Sequence, residues 1–205
     1  MVPDAYRFLL PALIIAAAFA LLHWWGLAVF FAALGGFIAF FFRNPRRQIP
    51  ADDRMILSPA DGKVVQVLQP QGEPGPSFGP TVSIFLSLFD VHVNRAPVDG
   101  TLQRVDYRPG RFKAAFLHEA SRVNEQNVLT IDVRGSELVV RQIAGVLARR
   151  VICWKQPGQR LERGELIGLI RFGSRVDVVL PGGVRLLVRE GDRVKGGVSI
   201  LGEFI

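Results

Sequence analysis

An apolar segment near the amino terminus constrains this chain more than any other feature of its sequence. Nearly every residue from 8 to 42 is apolar or small, and as one straight helix the segment would be about 50 Å long. The hydrocarbon core of a bilayer is only about 30 Å thick. The segment is interrupted at residues 23–26, His-Trp-Trp-Gly, where the aromatic rings suit the membrane interface and Gly26 permits a turn. We therefore predict an amino-terminal transmembrane hairpin of two short helices.

Basic residues on both flanks of this segment predict its orientation. Arg7 precedes the first apolar run, and Arg43, Arg46 and Arg47 follow the second. Because cytoplasmic flanks are rich in Lys and Arg, both ends of the hairpin are predicted to lie in the cytoplasm. The arginines either act on topology alone or also attract anionic lipid headgroups. A cleaved signal peptide is not expected, because the apolar run is too long and no small-residue cleavage site follows it.

These features divide the chain into a membrane anchor, residues 1–48, and a body, residues 49–205, on the cytoplasmic side of the cell (inner) membrane. The body has one cysteine, Cys153, and the whole chain has three histidines. Neither a disulfide nor a metal site is expected from so few ligands. The formal net charge of +7 suits a lipid surface or a nucleic acid. The arginines are dispersed without an aromatic platform or a reading helix, so no nucleic-acid partner is expected.

Short β-branched runs separated by glycine and proline dominate the body and predict a mostly β fold. Six runs are predicted to be strands, at residues 63–68, 81–88, 128–133, 138–143, 176–180 and 184–188. The glycine-punctuated segments 58–65 and 190–197 resemble strands of biotinyl and lipoyl carrier domains. We therefore predict a flattened barrel or sandwich of that type. No lysine has the setting of a carrier lysine at a hairpin tip, so carrier function is not expected.

Three motifs, taken in order, give the chain a specific resemblance to a known family. The first is Ser-Pro-Ala-Asp-Gly at 58–62, and the second, at 85–97, is Phe-Leu-Ser-Leu-Phe-Asp-Val-His-Val-Asn-Arg-Ala-Pro. The third is Arg-Phe-Gly-Ser-Arg-Val-Asp at 171–177. Together they resemble the short form of phosphatidylserine decarboxylase along nearly the whole chain. The resemblance implies a membrane-bound lyase that converts phosphatidylserine to phosphatidylethanolamine.

The resemblance also implies how such an enzyme obtains its cofactor. In that family the serine of the third motif becomes an amino-terminal pyruvoyl group after self-cleavage, and the match transfers this role to Ser174. The proenzyme would be cut between Gly173 and Ser174 into a β chain, 1–173, and an α chain, 174–205, which stay together. The Ser174 hydroxyl would attack the Gly173 carbonyl, and elimination and hydrolysis would follow. A pyruvoyl ketone can form a Schiff base with the serine amine of the lipid and accept the electrons released with carbon dioxide.

The resemblance and the chemistry of histidine together make His92 the candidate base. Longer family members carry a second histidine where this chain has Arg95, so the assignment of each proton transfer stays open between His92, Asp61, Asp90 and a water. Asp61 and Asp90 are expected to orient a histidine, with turn formation as the alternative. Arg95, or the arginines beside Ser174, are candidates for binding the lipid phosphate.

Two other functions stay open at this point. One is a non-catalytic membrane-anchored β-barrel adaptor, which predicts an intact chain. The other is a pyruvoyl decarboxylase that acts on a soluble amino acid, although the hairpin favours a lipid substrate. The sequence allows a homo-oligomer without requiring one, and it does not determine the acyl-chain preference.

Overall fold

The computed structural model describes residues 1–69, 79–117, 119–146, 150–171 and 173–205. His118, one of the three histidines, lies outside the described residues. The chain divides into two compact units, Met1–Arg46 and Arg47–Ile205. Each unit has its own secondary structure class, helical in the first and mainly β in the second.

Two apolar helices form the first unit. Helix α1 covers Tyr6–Leu21 and helix α2 covers Trp25–Phe41. With the preceding 3₁₀ turn, Pro3–Leu21 is the one helical segment in the described ranges that is long and apolar enough to cross a membrane, and α2 is shorter. The chain turns at His23, which has a left-handed φ of 61°, a conformation in which histidine is enriched. Gly26 lies inside α2, so its predicted role in the turn was wrong.

The two helices pack against each other in antiparallel directions. Phe8 stacks on Phe42 with ring centroids 5.9 Å apart, and Phe19 stacks on Phe31 at 5.7 Å. Gly35 allows the close approach, because a Cβ there would meet a leucine side chain of α1 at 3.2 Å. Small residues at such contacts are typical of helices that pair in lipid. The predicted amino-terminal helical hairpin is therefore confirmed.

Short strands make up most of the second unit. In chain order they are β1 Met55–Leu57, β2 Gly62–Leu68, β3 Thr81–Leu86, β4 Val93–Arg95, β5 Gly100–Arg108, β6 Gln126–Val133, β7 Ser136–Ile143, β8 Val151–Cys153, β9 Arg160–Leu161, β10 Leu166–Ile170, β11 Ser174–Val179, β12 Val184–Leu186, β13 Arg193–Val194 and β14 Ile200–Phe204. The four-residue helix α3, Ala120–Val123, lies between β5 and β6.

Each of the six predicted strands is present, and their ends differ from the prediction by at most two residues. The strands form an eight-stranded sheet in the order β13-β2-β3-β11-β7-β6-β5-β9, which curls into half a barrel. Two three-stranded sheets, β1-β14-β12 and β4-β10-β8, complete the unit. The prediction of a mostly β, barrel-like body is therefore confirmed.

Strand β11 lies inside the large sheet, paired antiparallel with β3 on one side and with β7 on the other. Successive side chains of a strand point to opposite faces. Val176 and Val178 belong to the main hydrophobic core, so Arg175 and Asp177 lie on the opposite face of the sheet. Because of this alternation, Arg175 and Asp177 can act only on the face of the sheet that points away from the main core.

Candidate active site

Ser174 begins strand β11 and is fully buried, with Leu86 of β3 as its cross-strand partner. In the described part of the chain its Oγ has no hydrogen-bond partner. A buried hydroxyl without a partner costs about 1–3 kcal/mol. Such groups are rare in folded proteins and often have a chemical role. The position therefore suits a reactive serine better than a structural one.

Gly173, the residue before it, has a left-handed backbone with φ 64°. A Cβ at this position would meet no described atom within 4 Å. Glycine is therefore favoured here by its backbone conformation and not by a lack of space, since an L-residue in this conformation costs roughly 1–2 kcal/mol. The Gly173–Ser174 peptide bond thus joins a left-handed residue to the first residue of a central strand.

His92 is fully buried and contacts this segment directly. Its Nδ1 lies 3.0 Å from the main-chain oxygen of Asp90, and its Nε2 lies 3.3 Å from the amide nitrogen of Gly173. A carbonyl oxygen can only accept, so this geometry places the proton of the neutral ring on Nδ1. Nε2 then accepts the Gly173 N–H through its lone pair. A basic nitrogen is therefore held against the residue that carries the candidate scissile carbonyl.

Asp90 orients His92 through its main chain and not through its carboxylate. Oδ2 of Asp90 accepts hydrogen bonds from the amide and the hydroxyl of Ser87 at 2.8 and 2.7 Å. Oδ1 lies 3.2 Å from an Nη atom of Arg193. The carboxylate therefore fixes the turn that precedes the histidine.

The carboxylate of Asp61 binds residues other than His92. Its two oxygens accept hydrogen bonds from Arg47 Nη2 at 3.0 and 2.7 Å, and Oδ1 also accepts from the amide of Gly196 at 2.8 Å. Within the described ranges it makes no hydrogen bond to His92. Arg47, one of the arginines considered for anionic headgroups, is thus bound to a carboxylate of the body.

Arg95 belongs to the same neighbourhood as Asp61. Its Nη1 donates to the main-chain oxygen of Gly164 at 2.7 Å. Burial lowers the pKa of the Arg95 guanidinium, and nearby Arg47 lowers it further, whereas Asp61 acts in the opposite direction. Of the residues predicted for the site, Ser174, Gly173 and His92 thus come together, while Asp61 and Arg95 share a second cluster.

Gly145 is a site residue that the sequence did not indicate. A Cβ at this position would collide with the carbonyl oxygen of Gly173 and would lie 3.2 Å from the Cβ of Ala115. The preceding residue, Ala144, is held at its carbonyl by Asn124 Nδ2 at 2.8 Å. Glycine at 145 therefore allows the main chain to pass directly beside the candidate scissile carbonyl. No motif marks this residue, because a glycine after a strand is common in any turn.

A buried ion pair follows Ser174 on the opposite face of the sheet. Arg175 and Asp177 are 1% and 2% exposed, and Arg175 Nε donates to Asp177 Oδ1 at 2.7 Å. Arg175 Nη2 also donates to Gln66 Oε1 at 2.8 Å and to Ser83 Oγ at 2.6 Å. Such additional hydrogen bonds offset the desolvation of a buried pair. The hydrogen bonds of Arg175 therefore link β2 and β3, which precede Ser174 in the chain, to β11, which begins with Ser174.

An apolar pocket of about 280 Å³ opens beside Gly173. Three of its lining side chains are well exposed, Phe89 at 72%, Phe116 at 59% and Val146 at 52%. Exposed apolar groups grouped around a pocket are typical of surfaces that bind apolar ligands or membranes. The candidate cleavage site thus borders a surface suited to an apolar ligand.

Comparison with known proteins identifies the family to which the sequence is similar. The sequence model of the family described as phosphatidylserine decarboxylase matches residues 34–202. Three curated relatives bear the name phosphatidylserine decarboxylase proenzyme. The one from Carboxydothermus hydrogenoformans is 44% identical over 98% of this chain and 95% of the relative. The one from Geotalea uraniireducens is 43% identical over 97% and 94%, and the one from Solibacter usitatus is 46% identical over 93% and 91%.

Proposed function

Because this chain belongs to the phosphatidylserine decarboxylase family, we propose that it decarboxylates phosphatidylserine through a pyruvoyl group made from its own Ser174. The contact that carries the proposal is the hydrogen bond from the Gly173 amide to His92 Nε2, at 3.3 Å. It joins the second and third sequence motifs at the bond that would be cut. The non-catalytic adaptor considered from the sequence has no support from these relatives.

The self-cleavage we propose uses groups already in place. His92 Nε2 takes the proton of the Ser174 hydroxyl, and Oγ attacks the Gly173 carbonyl, which moves the acyl group from nitrogen to oxygen. Loss of a proton from Cα of Ser174 then expels the carboxylate of Gly173 and leaves dehydroalanine at position 174. One water converts this residue to the pyruvoyl group and releases ammonia. The Oγ of Ser174 suits this role because it makes no hydrogen bond of its own in the described structure, and the lone pair of His92 Nε2 becomes available once the Gly173 N–H releases it.

The residues around Ser174 also fit the finished group. The position is fully buried, so bulk water is excluded from a reactive ketone. A pyruvoyl group there supplies a carbonyl that captures the amine of the substrate and an electron sink for the bond to carbon dioxide. His92 is the group placed to hold or return a proton beside it. The hydrogen bonds from Arg175 to Gln66 and Ser83 would keep the start of the α chain attached to the β chain.

The apolar pocket beside Gly173 supports a lipid as the substrate and not a soluble amino acid. The purified full-length protein in neutral detergent is expected to release carbon dioxide from phosphatidylserine and to form phosphatidylethanolamine. Free serine and glycerophosphoserine, which lack the acyl chains, should be turned over at least about a hundredfold less well, since each buried methylene contributes about 0.8 kcal/mol. Equal turnover of glycerophosphoserine and the lipid would contradict the lipid assignment.

We also propose that the helical hairpin anchors the enzyme with its body on the cytoplasmic side of the cell membrane. A reporter fused after Ile205 is expected to be active only in its cytoplasmic form, because arginines flank both ends of the hairpin. The matched control is the same reporter fused after Trp24, between α1 and α2, which should report the opposite side. A periplasmic signal from the carboxyl-terminal fusion would overturn this topology.

The position of Gly145 gives a prediction about the cleavage rate. Gly145→Ala is expected to slow self-cleavage at least about tenfold, equivalent to about 1.4 kcal/mol in the barrier, because the added methyl displaces the scissile carbonyl. Pulse-chase electrophoresis would follow the loss of the intact chain. Gly36→Ala adds the same methyl where no described atom lies within 4 Å and should cleave at the normal rate. A folded Gly145→Ala protein with normal cleavage would show that this contact does not position the carbonyl.

A further inference from the structure

A cavity of about 470 Å³ lies over the face of the large sheet that points away from the main core. Its floor includes Asp177 of β11 and Arg141 of β7, which are direct cross-strand partners. Ser121 and Arg122 of α3 form part of its wall. Arg175, the residue after Ser174, also lines it. None of these residues has a role in the cleavage chemistry described above, although Arg175 would hold the start of the α chain to the β chain.

Two donors of this cavity lack an acceptor. Within the described ranges, Arg141 Nε and Ser121 Oγ are buried and make no hydrogen bond. Buried donors in native proteins nearly always have a partner. An acceptor supplied from outside the chain would satisfy both, provided that it carries more than one oxygen.

The charges around the cavity favour an anion over a neutral acceptor. Asp177 is neutralised by Arg175 at 2.7 Å, and Glu119, which also lines the cavity, is paired with Lys113 at 2.7 Å. Arg141 and Arg122 have no ion-pair partner in the described part of the chain. The net charge of the lining is therefore positive, because its two acidic side chains are already in ion pairs. The planar guanidinium, with several donors in fixed directions, matches the oxygens of a phosphate.

We propose that this cavity is a binding site for a phosphate group, held by Arg141, Ser121 and Arg122. The group is either the phosphodiester of a phospholipid or free phosphate. It would not be the reacting end of the substrate, because Asp177 lies three residues beyond Ser174, about 10 Å along the strand. The phosphate would instead lie beside Arg175, which lines the cavity from the strand that would begin with the pyruvoyl group, so occupancy would steady the start of the α chain. That consequence rests on the proposed function, whereas the binding site does not.

The test uses the full-length protein in neutral detergent and isothermal titration calorimetry. One arm titrates inorganic phosphate and the other titrates short-chain phosphatidylglycerol, a lipid without a serine amine. At least one of the two is expected to bind to the wild type. Arg141→Gln and, separately, Ser121→Ala should weaken that binding at least tenfold. Binding of phosphate alone identifies the free ion as the ligand, and binding of the lipid alone identifies the phosphodiester; both results support the site.

Controls separate the site from charge and folding effects. Arg185→Gln removes one positive charge from β12, in a different sheet, and should bind like the wild type. Arg141→Lys keeps the charge and should bind better than Arg141→Gln. Ser121→Ala removes only a hydroxyl and reports on the site if the arginine variants unfold. No binding in either arm, or binding that all the cavity variants retain, would overturn the proposal. Because no turnover is measured, this result is independent of whether the protein decarboxylates phosphatidylserine.

Discussion

Ser174→Ala is expected to remain a single chain of 205 residues and to release no carbon dioxide from phosphatidylserine. The substitution removes the only oxygen that could attack the Gly173 carbonyl from the adjacent residue, and it removes the precursor of the electron sink. The fold should persist, because Ser174 Oγ makes no hydrogen bond in the described structure. Denaturing electrophoresis and a decarboxylation assay would show both effects.

Graded replacements sharpen this test. Ser174→Cys and Ser174→Thr each keep a nucleophile but alter the elimination, so slow cleavage is expected from both. Ser136→Ala is the matched control, because it also removes one hydroxyl but lies at the first residue of β7, away from the cleavage bond. It should be cut normally. An Ser174→Ala protein that is still cut after Gly173, or that still decarboxylates the lipid, would exclude Ser174 as the pyruvoyl precursor.

His92→Ala is expected to block self-cleavage, decarboxylation or both, by about 10²–10⁴-fold, the usual contribution of a general base. The physical reason is the position of Nε2 against Gly173, with Nδ1 fixed by the carbonyl of Asp90. Quantitative electrophoresis gives the cleavage rate, and the rate of carbon dioxide release per cleaved chain gives the second step. Added imidazole should restore part of the lost rate, which a merely structural role would not allow.

Two controls accompany this prediction. His23→Ala removes a histidine from the turn of the helical hairpin and should leave cleavage unchanged. Asp90→Asn alters a carboxylate that binds Ser87 and Arg193 but keeps the main-chain oxygen that orients His92. It should therefore have a much smaller effect than His92→Ala. Normal turnover by a fully cleaved His92→Ala protein would remove His92 from the mechanism.

The sequence predicted the elements whose signals are local. The length of the apolar segment required a break, and the structure has a hairpin there; the β-branched runs became β2, β3, β6, β7, β11 and β12. Several strands that the sequence did not show are very short, such as the two-residue β9 and β13, whereas the nine-residue β5 was missed although it is long. The very short strands carry no periodicity and form only because neighbouring segments offer hydrogen bonds. Their positions depend on tertiary pairing.

The sequence likewise predicted some features of the candidate site and missed others. Motifs indicated His92, Gly173 and Ser174, but a motif does not specify which atom of a residue acts. Asp90 was expected to orient a histidine, and the atom that does so is its main-chain oxygen. Gly145 was missed because its importance comes from a contact between distant segments. Arg175 was considered for a lipid phosphate, and no local pattern indicated that it would be buried with Asp177. These features arise from strand pairing across the sheet.

The central claim is that the chain cuts itself between Gly173 and Ser174 and keeps both products. Denaturing mass spectrometry of the purified wild-type protein tests it most directly. The spectrum should contain a β chain of residues 1–173 and an α chain of residues 174–205, with the α chain lighter than its encoded peptide by one ammonia and shifted by borohydride. An intact wild-type chain that decarboxylates phosphatidylserine, or a cut at any other bond, would contradict the pyruvoyl mechanism proposed for this enzyme.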